Sequence, residues 1–473
     1  MTDRRDWARK LSRLSRRELL RLLGTLGLAG VADAIFARRL GARGLDARTR
    51  PPEGAPNIVF ILSDDHRADF MGVAGHPFIR TPNMDRIARE GVWFRNAFTT
   101  TSLCSPSRGS FLTGMYASRH GCRNNLMTME RSRPTFPEIL ARAGYDSAVI
   151  GKWHMPGPLP KLEGVDPFIT FTLNAGQGRY FDCPLVRGGR AIAPRHRHVD
   201  EDFTEHAFEF LGKKRDRPFC LYLAFKSPHH DWRALPPFEK AYEDVEIPMP
   251  RESDPWLGFT DGNTFLGTNR FLPGLVRDYC RAITSADFLI GRVLDRIDAM
   301  GARDNTVVIY AGDNGYLWGE HRLVDKRWAY EDSIRIPFLV RTPKTLRDPG
   351  RPAGQMVLNI DVAPTLLDLA GLPIPAWMQG RSLAPILASR DAPGREAWLY
   401  EHFPDYPYPV PRIRAVRTPT HKYVEYEGST GPELYDLAAD PRERRNLIGT
   451  GEGAALLPRM KGLLASLKRE IEG

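Results

Sequence analysis

The chain has 473 residues, of which 42% are hydrophobic and 26% charged, proportions of a soluble globular protein that is too long for one small domain. Its net charge is +10, but residues 1–37 alone contribute +4 through eight basic and four acidic side chains. The remaining excess is spread thinly, which excludes the concentrated basic face a nucleic acid requires. Five cysteines exclude a disulfide scaffold. Cys122, Cys183, Cys220 and Cys280 lack metal-ligand spacing and read as buried small hydrophobes, with their pairing left open.

In chain order, a basic run from Arg4 to Arg21 comes first. An apolar stretch, Leu22 to Ala32, follows, and then the small-x-small sequence Ala32-Asp33-Ala34. This order is that of a secretory signal, with cleavage after Ala34 or Ala37. The apolar run is well short of the roughly 20 residues that cross a bilayer, so no permanent membrane span is expected. The segment Ser15-Arg16-Arg17-Glu18-Leu19-Leu20-Arg21 resembles the twin-arginine signal pattern. Residues 1–37 are therefore expected to be a signal read by the twin-arginine translocase, with a periplasmic or secreted destination. Residues 38–54 form an Arg/Gly/Pro-rich linker.

The run Asn57–Leu62 is apolar throughout and β-branched, as in a strand buried on both faces of a parallel sheet. Similar runs recur at Asp146–Ile150, Phe219–Phe225, Thr306–Ala311 and Ile336–Val340. Helical patterning falls between them, over Thr81–Glu90, Thr204–Lys214, Asp278–Met300 and Ile360–Ala370. On the long one, Tyr279, Ile283, Ala286, Ile290, Val293, Ile297 and Met300 share one face. The alternation predicts an α/β fold, a large domain over 55–389 with a mostly parallel central sheet flanked by helices. Pro- and Trp-rich loops fill 155–200 and 228–275. From about 390 the pattern changes to short strands at Trp398–Glu401, Arg412–Val416, Tyr423–Tyr426 and Glu433–Leu437, closed by a helix over Ala454–Glu472. Residues 390–473 are thus expected to form a small antiparallel sheet with one helix.

Reactive groups in open α/β sheets sit just past the carboxyl ends of the strands. Here those ends carry Asp64-Asp65, Lys152-Trp153-His154, His229-His230 and Asp313-Asn314. An Asp pair after one strand is often only a helix cap. Four such ends in one chain point to a single crevice. Asp64, Asp65, Asp313 and Asn314 offer hard oxygen ligands, the inventory for Ca²⁺ or Mg²⁺, and no H-E-x-x-H or cysteine cluster argues for zinc. The neighbouring lysines and histidines suit an anion that the metal also touches, such as a phosphate or sulfate ester.

The segment from Thr101 to Gly114, TSLCSPSRGSFLTG, resembles the signature of type I sulfatases, C-x-P-S-R followed by L-T-G. Cys104, Pro106, Ser107, Arg108, Leu112, Thr113 and Gly114 fill its fixed positions without departure. The resemblance runs from about residue 56 to the C-terminus and is most like bacterial carbohydrate sulfatases, within the alkaline phosphatase superfamily. It implies that a formylglycine-generating enzyme oxidises Cys104 to formylglycine before folding. It implies a calcium site at Asp64, Asp65, Asp313 and Asn314, with the modified Cys104 completing it. Lys152 and His154 match the pair beside the formylglycine, His229 the sulfate-facing histidine, and Lys326 the second sulfate lysine. The family often has Pro where this chain has Asp231, which bears on the choice of His229 over His230. The pattern around Glu433–Leu437, Asp440-Pro441 and Asn446-Leu447 also matches and reads as structural.

In the mechanism so implied, Arg108 and the metal orient a hydroxyl of the hydrated aldehyde. Lys152 and Lys326 neutralise the sulfate, His229 with Lys326 serves the leaving alcohol, and His154 takes the proton that releases sulfate. Three competing readings remain: an aryl- or choline sulfatase, a phosphonate or phosphate monoester hydrolase of the same fold, and a non-catalytic binder of sulfated glycans. Every catalytic position is filled, which disfavours the binder. Arg179, Arg187, Arg190, Arg195, His196, Arg197 and His198 either line the mouth of the site for an acidic substrate or form a solvated face.

Overall fold

The computed structural model describes residues 51–249, 258–259, 272–343 and 349–472. The expected signal and all but the end of the linker lie outside the described residues. In chain order the structure runs through β1 (Asn57–Ser63), α1 (Pro82–Arg89), β2 (Val92–Phe98), α2 (Cys104–Thr113), α3 (Phe136–Arg142), β3 (Asp146–Gly151), β4 (Val165–Thr170), β5 (Leu185–Arg187) and β6 (Arg190–Ile192). There follow α4 (Val199–Leu211), β7 (Phe219–Ala224), β8 (Gly258–Phe259), α5 (Leu272–Ala299), β9 (Thr306–Gly312), β10 (Leu317–Trp318), β11 (Leu323–Asp325), β12 (Phe338–Arg341), β13 (Arg351–Leu358) and α6 (Val362–Leu369). The chain ends with β14 (Trp398–His402), β15 (Ile413–Arg417), β16 (His421–Tyr426), β17 (Glu433–Asp436) and α7 (Gly451–Glu472).

Ten strands form one sheet in the order β13-β2-β12-β9-β1-β7-β3-β4-β5-β6. The centre is parallel: β1 pairs with β9 on one side and β7 on the other, and β7 with β3. β12 is antiparallel to both β9 and β2, so the run at Ile336–Val340 does not join the parallel set. Alternation in β1 explains its continuous apolar character. Val59 and Ile61 point into the core under α4 and α5, while Ile58, Phe60 and Leu62 point into the core under α2, α3 and α6. Each such side chain is worth about 1.5–3 kcal/mol relative to exposure.

Most expected elements appear with shifted ends. α4 starts five residues earlier than the apolar pattern suggests, because the His198 ring caps Asp200 N and Asp200, Glu201 and Asp202 fill the first turn. β2 and β13 were not expected. Their sequences, VWFRNAF and RPAGQMVL, carry Arg, Asn, Pro and Gly that mask the strand pattern, and pairing with each other stabilises both.

The strands β14 to β17 form a separate antiparallel sheet covered by α7. Its core is continuous with the larger part: Trp398, Tyr400 and Leu434 pack with Phe98, Ile334 and Leu358. Buried ions also cross the junction. Glu331 accepts from Arg417 and Lys422 at 3.2 Å each, and Lys422 also pairs with Glu443 at 2.5 Å. Among the described residues no helix is long and apolar enough to cross a membrane. All five cysteines are buried, as expected for Cys122, Cys183, Cys220 and Cys280, and all are free, which settles the pairing left open by the sequence.

Candidate active site

The neighbouring strands β9, β1, β7 and β3 end level with one another. Ser63 lies beside Gly312, Leu62 beside Ala224, and Ala224 beside Gly151. The residues that follow each strand are therefore brought side by side. The turn after β1 holds Asp65 in a left-handed conformation (φ 62°), with its N–H donating to Asp313 Oδ1 at 2.9 Å. The Tyr279 hydroxyl, from α5, donates to Asp65 O at 2.6 Å and fixes that turn.

The signature segment forms α2, a helix buried on every side, ending at Gly114 in the left-handed region (φ 68°). Cys104 is its first residue. Its Sγ lies 3.4 Å from Asp64 Oδ1, 3.9 Å from Asp65 Oδ1 and 3.2 Å from Lys326 Nζ. Burial, and next the charge of Asp64, push this thiol up despite the two nearby lysines. An unmodified Cys104 is thus a poor thiolate nucleophile. One turn on, Arg108 places Nε 3.0 Å and Nη2 2.9 Å from Asp313 Oδ2, and donates from Nη1 to Lys152 O at 2.8 Å.

The other expected residues converge on the same point. Lys152 pairs with Asp64 and donates to Gln177 Oε1 at 2.5 Å. Lys326 pairs with Asp65. His229 Nε2 lies 3.7 Å from Asp65 Oδ2, while its Nδ1 is buried and unpartnered among the described residues. His230 also lines the cavity but meets Asp231 at 3.4 Å, while His229 reaches the cluster carboxylate Asp65. His154 Nδ1 lies 3.4 Å from Ser105 Oγ. Burial first, then Lys152, holds both His154 and His229 well below the ordinary histidine range, so both rings are neutral.

The donor set fits a hard cation. Ligand oxygens of Asp64, Asp65 and Asp313 lie within 4.8 Å of one another. Asn314 Nδ2 donates to Asp65 Oδ1 at 2.7 Å, leaving Asn314 Oδ1 buried without a hydrogen-bond partner among the described residues. Burial would raise Asp64, but the charges of Lys152, Arg108 and Lys326 outweigh it and hold it well below the carboxylate range. Burial and the charge of Asp64 push Asp313 up to about 7. Three crowded carboxylates and an orphaned amide oxygen are what a divalent cation with oxygen ligands relieves.

In front of this cluster lies a cavity of about 270 Å³, lined by Asp65, His229, Lys326, Gln177, Lys226 and Tyr408 among others. Lys226 and Gln177 were missed from the sequence. Lys226 is buried; its Nζ donates to Gln177 O at 3.2 Å and lies 4.9 Å from the Tyr180 ring centroid. It follows β7 directly, so the strand-end logic that found His229 applies to it equally. The arginines and histidines of 179–198 do not line this cavity. Arg195 pairs with Glu209, Arg187 with Asp166 at 3.7 Å, and Arg197 stacks on Phe181. They stabilise the sheet edge and its loops.

A nucleophile position at a buried helix start, facing carboxylates, paired lysines and neutral histidines, defines a hydrolase of esters of small oxyanions. The sulfatase family model matches residues 56–372, and that of the N-sulphoglucosamine sulphohydrolase C-terminal region matches 319–470. The chain belongs to the sulfatase family and is a sulfuric ester hydrolase with an alkaline-phosphatase-like fold. It is 30% identical to an N-acetylglucosamine-6-O-sulfatase of Bacteroides thetaiotaomicron, over 88% of this chain and 87% of the relative. It is also 30% identical to an ulvan-active sulfatase of Formosa agariphila, over 84% of this chain and 78% of that one. A solved structure in complex with its substrate D-glucosamine-2-N,6-O-disulfate superposes with a TM-score of 0.82 at 28% identity, covering 88% of this chain and 98% of that one.

Proposed function

We propose that the chain hydrolyses sulfate esters of sulfated carbohydrates, using formylglycine made from Cys104 and a calcium ion held by Asp64, Asp65, Asp313 and Asn314. The observation that carries this reading is the complete signature on α2, with Cys104 facing the carboxylates and Lys326. The relatives named for N-acetylglucosamine and ulvan sulfates support a carbohydrate substrate. Mg²⁺ fits the same oxygen ligands.

When present, these two groups supply a hydroxyl nucleophile and neutralisation of sulfate charge. The chain's own residues do the rest. Arg108 holds Asp313 and Asp64 in place behind the nucleophile position. Lys152 and Lys326 turn part of their charge from Asp64 and Asp65 to the incoming sulfate oxygens. His229 is neutral in the free enzyme. A bound sulfate anion raises its affinity for a proton, which it then delivers to the leaving sugar oxygen. His154, also neutral, accepts a proton beside position 104.

The run from Arg4 to Ala34 supports export by the twin-arginine translocase to the periplasm or beyond. That route carries folded proteins, so modification of Cys104 and folding are both completed in the cytoplasm.

Mass spectrometry of the tryptic fragment Asn96–Arg108 from the native host tests the reading. A loss of about 18 Da at Cys104 is expected. An unmodified cysteine in every copy overturns it.

A further inference from the structure

Beside the catalytic cavity lies a second basic cluster that takes no part in the chemistry above. Three guanidinium groups surround the buried Phe403 ring. Arg123, Arg412 and Arg414 place Cζ 5.5, 5.3 and 4.6 Å from its centroid. Like charges gathered on one ring repel unless anions offset them. The offset is partial: Arg414 meets the buried Glu401 at 4.0 Å, and the other two are less well compensated. Among the described residues Arg412 finds one carboxylate, Glu427 at 3.6 Å, and that pair lies at the surface. Arg123 has no carboxylate partner among the described residues, and its Nε is buried without a hydrogen bond. His402, fully buried next to Phe403, is held neutral by burial first and then by Arg327 and Arg414, a sign of positive potential in this region.

The two segments that carry the cluster are tied to each other and to the cavity. Asn124 Nδ2 donates to Pro404 O at 2.7 Å, and Asn125 N donates to Asp405 Oδ1 at 3.1 Å. Asp405 Oδ2 accepts from Arg327 Nη2 at 3.1 Å, and the Tyr408 ring lies 3.6 Å from Arg327 Cζ. Asn125, Arg327 and Tyr408 line the catalytic cavity, and Arg123 and Arg412 lie two and four residues along the chain from Asn125 and Tyr408. The same segments bear Leu126, Met127 and Tyr406, three of the four exposed large hydrophobics among the described residues; Tyr406 is 83% exposed. Exposed apolar side chains on segments that also line a catalytic cavity suit a ligand-binding surface. Arg123, without a carboxylate among the described residues, and Arg412, held only by an exposed ion pair, suit an anionic ligand.

We propose that residues 123–127 and 403–414 form a second subsite that takes an acidic sugar unit adjacent to the unit bearing the scissile sulfate. Arg123 and Arg412 bind its sulfate or carboxylate, and the Tyr406 ring lies against its apolar face. The enzyme then prefers a charged oligosaccharide to a lone sulfated monosaccharide. This inference rests on the sulfated-carbohydrate reading.

Steady-state kinetics of the mature enzyme on four substrates test it. They are a sulfated monosaccharide and disaccharides carrying the same sulfated unit next to a uronate, a second sulfated unit, or a neutral sugar. The double variant Arg123→Gln/Arg412→Gln should raise KM for one or both acidic disaccharides roughly threefold to tenfold with kcat held. The monosaccharide and the neutral disaccharide should keep their KM. Which acidic substrate responds identifies the anion. Tyr406→Ala, at an exposed position that leaves folding intact, should raise KM for all disaccharides and not for the monosaccharide. Equal effects of the arginine variant on acidic and neutral disaccharides, or none on either, overturn the subsite and leave the sulfatase reading standing. Failure of the wild-type enzyme to cleave any of the four overturns the carbohydrate reading and the subsite with it.

Discussion

Asn314 donates its side-chain amide to Asp65 Oδ1 at 2.7 Å, and its Oδ1 is buried with no hydrogen-bond partner among the described residues. A buried acceptor left so costs about 1–3 kcal/mol, which a cation recovers. Calcium should therefore raise the melting temperature, with a stabilisation of about 2.7 kcal/mol at a hundredfold excess over Kd. Asn314→Leu should lose most of that gain in calorimetry. An equal calcium response in this variant would remove Asn314 from the ligand set.

Cys104→Ser keeps a hydroxyl at the helix start but has no second hydroxyl to expel sulfate. The variant should lose roughly 10³-fold or more in kcat. Rapid-quench mass spectrometry should find sulfate trapped on the serine or no reaction. Full multiple turnover would sink the proposed chemistry.

Lys226 has no carboxylate within salt-bridge reach among the described residues, and burial first and then Lys152 push it down to about 8. Below that pH it is charged and attracts the substrate; above it the charge is lost. The wild-type KM should rise above about pH 8, and Lys226→Met should raise KM about tenfold at pH 7 and abolish that alkaline limb. An unchanged alkaline limb in the variant would assign it to another group.

Burial would raise Glu331, but Lys422 and Arg417 outweigh it and bring it down to about 2. A folded-state value below the unfolded one means that stability is present above about pH 4.5 and is lost as pH falls through about 2. Glu331→Gln should cost about 3 kcal/mol at neutral pH, read from urea melts, and should flatten the acid limb between pH 4.5 and 2. Variant and wild type should converge near pH 2. A constant gap across that range would contradict the ion-pair assignment.

The convergence of the candidate site was legible in the sequence because its residues follow strand ends, and strand ends are the easiest boundaries to read when the strand is wholly apolar. Asp64, Lys152, His229 and Asp313 each follow such a run. The outer sheet was less legible. β13 contains Pro352 and Gly354, tolerated there because β13 is an edge strand paired only with β2. β12 runs antiparallel to both β9 and β2, a direction no local pattern encodes. Lys226 was passed over because the adjacent histidines drew the motif. The arginines of 179–198 show the reverse case: dense charge in sequence that folds into pairs at the sheet edge, while Arg123 and Arg412, nearly 300 residues apart in sequence, meet on one phenylalanine.

Cys104 has no exposed surface, enclosed by a helix that is itself enclosed. Under the proposed formylglycine chemistry, an enzyme that alters this thiol has access only while the chain is still open, so maturation and folding run a race with a single finish. On that reading, a copy that folds first is an intact, well-packed and inert molecule. Melting curves and chromatography will not separate it from a working one. The specific activity of a preparation then reports the outcome of that race in the host cell, and a mutation that only speeds closure of the core lowers activity without touching the site.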